Sequence, residues 1–231
     1  MADLSRSEWR AARPDRFTAV VFDLDGILVE TEALWDEVRR GLAAAEGIPW
    51  PEAATAAMMG MSTPEWSTYL AETVGLSGTP EEVGKRVIDG MAARYATGLP
   101  VLPGAQAAVR RMAEHHLVGV ASSSPRRLID LVVHELGLDG VFTATVSTEE
   151  VAAGKPAPDG YLRACELLGV SPHDAVGIED STNGIRSLHA AGMTIIHIPP
   201  SFHAPDEETR ALCDAIIPTL DRLTEELLAG L

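Results

Sequence analysis

Near the start of the chain an unbroken apolar run, Ala19-Val20-Val21-Phe22, ends in two carboxylates and a glycine, Asp23-Leu24-Asp25-Gly26. Such a run, rich in β-branched residues, fits a strand buried on both faces of a parallel sheet. Residues two apart on a strand share a side, so Asp23 and Asp25 fall together where the strand runs out. Gly26 then lets the backbone turn sharply. Open parallel sheets place their sites at the carboxyl ends of strands. Two carboxylates this close repel in a partly buried site. A divalent cation relieves that conflict, and hard oxygen ligands suit Mg²⁺. The competing reading is a plain turn, because Asp and Gly are turn formers.

Beyond Gly26 the chain is helical for a long way. Glu32 to Glu46 has apolar residues at helical spacing, and Gly47-Ile48-Pro49 ends it. Pro51 to Met59 is Ala-rich and closes at Gly60. Ser62-Thr63-Pro64-Glu65 and Thr79-Pro80-Glu81-Glu82 are capping-box starts for helices to about Val74 and Ala96. Roughly 80 residues therefore separate the first strand from the next β signal, far more than a normal crossover needs. The pattern predicts an inserted helical cap over residues 31–100, with a core of residues 1–30 and 101–231. The Gly- and Pro-rich stretch Thr97 to Gly104 reads as a hinge or a static linker.

After Gly104 the rhythm alternates. Strands are expected at Leu117–Ala121, Val141–Ser147, Ala175–Ile178, Thr194–Ile198 and Ala215–Ile217. Helices are expected at Ala105–His115, Pro125–Leu136, Pro158–Leu168, Ser181–Ala191 and Leu220–Leu228. Alternation of this kind calls for an α/β fold, a parallel sheet with helices on both faces.

Acidic residues outnumber basic ones 34 to 18, giving a formal net charge of −16. That balance repels phosphate backbones and anionic lipid, so neither nucleic acid nor membrane is an expected partner. A small phosphate ester remains open, since local donors and a metal override the global sign. Met1 to Asp15 lacks the apolar core of a secretory signal, and no stretch has the apolar length of a membrane span. Cys165 and Cys213 sit among Ala and Leu and read as buried thiols. A cytoplasmic monomer is expected. The seven histidines show no metal-ligand spacing tied to the motifs.

Parallel strands end on one edge, so the polar residues just past them should converge: Asp23 and Asp25, Ser122, Glu179 and Asp180, with Lys155 in the loop Ala153-Gly154-Lys155-Pro156. These groups suit phosphoryl transfer: Asp23 as nucleophile, Asp25 as acid and then base, Ser122 and Lys155 as donors to phosphate, Asp180 with Asp23 as metal ligands. Each has a plainer reading. Ser122 could cap the next helix, Lys155 could be a solvated loop lysine, and Asp180-Ser181 could be an N-cap.

As a set, four signatures resemble the haloacid dehalogenase superfamily: Phe22-Asp23-Leu24-Asp25-Gly26, Ala121-Ser122-Ser123-Ser124, Gly154-Lys155-Pro156-Ala157-Pro158-Asp159, and Gly177-Ile178-Glu179-Asp180-Ser181 with Gly184-Ile185 behind it. The resemblance spans roughly Phe17 to Pro199 and implies a Rossmann-like core with an inserted all-helical cap. It also implies roles. Asp23 attacks phosphorus and forms an aspartyl-phosphate, and Asp25 protonates the leaving alcohol and then deprotonates water. Asp23, the backbone carbonyl of Asp25, and Asp180 hold Mg²⁺ with help from Glu179. Backbone amides near Leu24 and Ser123, beside Gly26, contact the phosphoryl oxygens. Dehalogenating members lack the second aspartate, so Asp25 argues against that reaction.

The cap resembles that of β-phosphoglucomutase and related sugar-phosphate phosphatases. Where the mutase has a histidine, this chain has Trp35; where it flanks a cap glycine with lysine and arginine, this chain has Met59 and Thr63 around Gly60. Glu32-Ala33-Leu34-Trp35 is closer to the hexose-phosphate phosphatases. The expectation is a phosphatase for a small phosphorylated metabolite, a phosphomutase being the alternative. Trp35, Met59, Met61 and Trp66 are candidate selectivity residues, with core packing the plainer role for Trp66. A signalling receiver also combines acidic residues with a Lys-Pro, but there the modified aspartate lies after a middle strand and no helical insertion intervenes. A catalytically idle binding protein is a third option, and the full set of motif residues weakens it.

Overall fold

The computed structural model describes residues 17–58, 61–200 and 204–231. The readings made on Met1 to Asp15, Met59, Gly60 and His203 lie outside these residues. Six parallel strands form one sheet in the order β3-β2-β1-β4-β5-β6. They are β1 (Ala19–Phe22), β2 (Leu117–Ser122), β3 (Ala144–Ser147), β4 (Ala175–Glu179), β5 (Thr194–His197) and β6 (Ala215–Ile216). From β1 the chain winds outward through β2 and β3; from β4 it winds the other way through β5 and β6. The reversal falls between β1 and β4, which pair with Phe22 beside Ile178. A crevice opens beyond the carboxyl ends of strands at such a reversal.

Alternation along the strands explains the two apolar layers. Val20, Phe22, Val118, Val120, Val176 and Ile178 face one side with the cores of α5 (Ala105–Ala113) and α6 (Arg126–Glu135). Ala19, Val21, Ala175 and Ile195 face the other, against α7 (Asp159–Leu168) and α8 (Thr182–Ala191). Because both faces are covered, β1 is apolar at every position and its neighbours β2 and β4 turn polar only at their last residues, Ser122 and Glu179.

Between β1 and α5 the elements formed by the described residues are all helical. These are α1 (Glu32–Ala45), α2 (Ala54–Ala57), α3 (Thr63–Thr68), which runs into a π-helical segment Tyr69–Val74, and α4 (Pro80–Thr97). Both capping boxes read from the sequence are present, at Ser62 with Glu65 and at Thr79 with Glu82. The chain enters and leaves the insertion side by side: Val29 bridges Val101, Glu30 N donates to Pro100 O at 2.8 Å and Leu102 N to Leu28 O at 3.0 Å.

Three expectations are corrected. The Pro51 to Met59 helix shortens to the single turn of α2. Val141 and Phe142 precede β3 rather than belonging to it; Phe142 instead packs edge-on against Phe22 at 6.4 Å. The terminal helix splits into a 3₁₀ turn, Leu220–Arg222, and α10 (Glu225–Ala229), because Thr224 takes the N-cap and accepts from Leu227 N. Beyond β5 the short helix α9 (Glu207–Arg210) buries Thr209. Among the described residues no helix is long and apolar enough to cross a membrane.

Candidate active site

The loops beyond β1 and β4 bring the acidic residues together. One carboxylate oxygen each from Asp23, Glu179 and Asp180 lies within 4.8 Å of the others. Lys155 reaches in from the loop before α7, with Nζ 2.8 Å from Asp23 Oδ1 and 2.6 Å from Glu179 Oε1. Its side chain is 6% exposed, so it is not a solvated loop lysine. Tyr161, on the first turn of α7, donates to Glu179 Oε1 at 3.0 Å and lays its ring 4.8 Å from Lys155 Nζ.

Glu179 is fully enclosed. Its Oε1 takes Lys155 and Tyr161, while its Oε2 takes Asp180 N, Ser181 N and Ser181 Oγ at 2.8–3.0 Å. A carboxylate with five donors is held as an anion and fixes its neighbours. Two glycines make room. A Cβ at Gly184 would sit 1.6 Å from Glu179 Oε1, and one at Gly26 2.0 Å from Asp180 Oδ2. Gly26 also has φ +82°, a conformation costly for other residues.

Charge is the dominant feature. Burial pushes the Asp23 carboxyl from its ordinary 3.8 up to about 7; Lys155 opposes this, and Glu179 and Asp25 reinforce it. Burial, then Glu179 and Asp23, drive Asp180 well above its usual range. For Glu179 burial pulls the same way, but the Lys155 charge and the hydrogen bonds from Lys155 and Ser181 outweigh it and hold the pKa low. Burial alone would lower the Lys155 pKa, yet Asp23 and Glu179 raise it well above normal. Three carboxylates against one ammonium leave two formal negative charges uncompensated. Closely grouped hard oxygens with an excess of two charges fit a divalent cation of the Mg²⁺ type.

Asp25 is set apart from that cluster. Thr31 Oγ1 donates to its Oδ1, Ser124 Oγ donates to its Oδ2 at 2.7 Å, and Ser122 Oγ lies 3.4 Å from the same oxygen. With its side chain so engaged, only the backbone carbonyl of Asp25 is left for the metal-holding part expected of it. Ser122 does not cap α6, whose N-cap position is Pro125; its hydroxyl accepts from Ser124 N at 3.0 Å. Ser181, not Asp180, caps α8, accepting from Gly184 N at 3.1 Å.

These groups open into a cleft of about 430 Å³ between the sheet edge and the insertion. Gly26 and Ser123 line its floor; Trp35, Met58, Met61 and Trp66 line the opposite wall. Leu24 is completely buried, which leaves only its backbone for the role expected of it. Trp66 is nearly buried and packs on Trp35 at 5.8 Å, so it serves packing and lining at once. Sequence reading missed Thr31, Ser124, Tyr161 and Arg39. Ser124 and Thr31 flank motif residues; nothing in the sequence marks Tyr161 or Arg39.

The haloacid dehalogenase-like hydrolase family model matches residues 17–192. Hexitol phosphatase B of Escherichia coli K12 is 31% identical over 234 residues, covering 94% of this chain and 99% of that protein. The phosphorylated carbohydrates phosphatase of Thermotoga maritima is 31% identical over 180 residues, covering 78% and 83%. The crystal structure of CbbY from Rhodobacter sphaeroides in complex with phosphate superposes with a TM-score of 0.80 at 24% identity, covering 93% of this chain and all of that one, which speaks for the fold. Carboxylates gathered at the reversal of a six-stranded parallel sheet, and a family model spanning most of the chain, lead to one conclusion: this protein belongs to the haloacid dehalogenase-like hydrolases.

Proposed function

We propose that this protein is a Mg²⁺-dependent phosphatase that hydrolyses a small phosphate monoester, a sugar phosphate, through an aspartyl-phosphate on Asp23. The observation that carries the reading is the convergence of Asp23, Glu179 and Asp180, with one carboxylate oxygen of each within 4.8 Å of the others, and Lys155 bonded to the first two. Residues 31–100 act as a cap that covers the reacting groups.

Asp23 attacks phosphorus from one side, and the bond to the leaving alcohol breaks on the other. Asp25, steadied by Thr31 and Ser124, gives that alkoxide its proton. The cap excludes bulk water while the ester bond breaks. A water molecule then attacks the acyl phosphate, Asp25 takes its proton, inorganic phosphate leaves and Asp23 is restored. Lys155 keeps Asp23 oriented and balances its charge, and Ser122 with the backbone at Leu24, Gly26 and Ser123 receives the phosphoryl oxygens. Bound Mg²⁺, held by Asp23, Asp180 and the carbonyl of Asp25 with Glu179 fixing the loop, would neutralise charge on the transferring group. Positioning and charge neutralisation supply most of the acceleration in this chemistry.

The test is Asp23→Asn assayed on a panel of phosphate esters. Loss of at least roughly 1,000-fold in kcat is expected, as for removal of a covalent nucleophile, with the melting temperature unchanged or higher. Full activity in that variant, or after chelation of metal, would reject the mechanism. Isomerised sugar phosphate in place of free phosphate would favour the mutase.

A further inference from the structure

Arg39 has an unusual setting. It lies on α1 and lines the same cleft as Asp23 and Asp25. Its guanidinium carbon sits 5.0 Å from the Trp35 ring centre and 5.1 Å from that of Trp66. Its Nε is buried and has no hydrogen-bond partner. Asp36 acts on it only at a distance, being already bonded to Arg40 and Thr55. The enclosure is strong enough that burial lowers the Arg39 pKa to about 10. A buried donor left unpaired destabilises a fold, and such violations concentrate where a ligand supplies the missing partner.

The surroundings define the chemistry of that partner. A guanidinium stacked on two aromatic rings presents its N–H groups edge-on, in the plane of the fork. The Trp faces beside it offer apolar stacking area of the kind that suits the carbon faces of a sugar. A second anion is poorly served, because Glu30, Glu32 and Asp36 line the same cleft as Arg39. Those three carboxylates outnumber its one guanidinium.

We infer that Arg39 is a specificity-determining residue whose N–H groups bond the hydroxyls of a neutral, polyhydroxylated leaving group, so that the preferred substrate is a polyol or sugar monophosphate with no second anionic group. This deepens the phosphatase reading and rests on it.

The experiment compares wild type with Arg39→Met, which keeps the stem between the two rings and removes every donor. The probes are sorbitol 6-phosphate, mannitol 1-phosphate and ribose 5-phosphate as neutral esters, fructose 1,6-bisphosphate as the doubly anionic one, and p-nitrophenyl phosphate as an ester without hydroxyls. For the best neutral ester, kcat/KM relative to p-nitrophenyl phosphate is expected to fall about 10- to 100-fold in Arg39→Met, the loss of one or two charge-assisted hydrogen bonds, mostly through KM. The melting temperature is expected to hold or rise, since an unpaired buried donor is gone. Proportional loss on every ester, or a lower melting temperature, would make Arg39 a packing residue and overturn the inference. So would a wild-type preference for the bisphosphate, or for p-nitrophenyl phosphate over all three neutral esters. Failure of wild type to hydrolyse any of the five would instead refute the phosphatase reading.

Discussion

Ser124 illustrates how much a single hydroxyl decides in a buried acidic site. Its Oγ is 2.7 Å from Asp25, shorter than the 3.4 Å of the motif serine Ser122. Removing it leaves the Asp25 carboxylate with one strong donor fewer, so Ser124→Ala is expected to lower kcat about 10-fold, in line with roughly 1–2 kcal/mol for a hydrogen bond to a charged group. Steady-state kinetics with any accepted ester checks it; an unchanged kcat would show that Thr31 alone holds Asp25. Gly184 works by absence. A methyl group there would overlap Glu179, so Gly184→Ala is expected to cost about 1–3 kcal/mol through overpacking and to reduce kcat as the Glu179 network shifts. Chemical denaturation and kinetics should show both effects in one variant.

Strands and helices arise from local patterns that are continuous in sequence. The four-residue apolar run Ala19–Phe22 became β1, and helix starts written as Ser-Thr-Pro-Glu and Thr-Pro-Glu-Glu became the N-termini of α3 and α4. Where reading failed, a packing contact overrode the pattern. Val141 and Phe142 are apolar and strand-like, yet packing against Phe22 takes Phe142 out of the sheet. The α4 cap can be tested alone. Thr79 Oγ1 accepts from Glu82 N, and the Glu82 carboxylate accepts in return from Thr79 N at 2.8 Å. Thr79→Ala is expected to cost about 1 kcal/mol, lowering the melting temperature by about 2–4 °C for a chain of this size. Activity should survive, because this helix start lies far along the chain from the reacting groups; a kcat loss without a change in melting temperature would contradict this.

For the whole molecule, the proposed metal binding would be linked to stability through the same carboxylates. In the metal-free protein Asp23 has a pKa of about 7, above its ordinary 3.8. A carboxyl raised on folding contributes stability that is full at low pH and lost as pH climbs through the folded value. The metal-free protein is therefore expected to lose stability between about pH 4 and pH 7 from this group, and in the same sense from Asp180, whose pKa is also raised. The proposed Mg²⁺ would bind the deprotonated forms, so its stabilising effect should be larger at about pH 8 than at about pH 6. Melting curves with chelator and with excess Mg²⁺ at both values measure it; equal shifts at the two would remove the carboxylates as the cause.

Apolar periodicity, caps and turns are properties of neighbours along the chain. They were enough to reveal the α/β alternation, the long helical insertion, the acidic and serine side chains that end up at strand termini and the loop lysine that reaches them. They could not reveal that Glu179 is a fixed anion held by five donors, that Ser124 supports Asp25 more closely than Ser122 does, or that the Arg39 Nε stays unpaired beside two tryptophans above the site. Those are relations between residues as much as 99 positions apart. They come into being only when packing of the sheet and the insertion removes water from between them and makes each unmet hydrogen bond and charge costly.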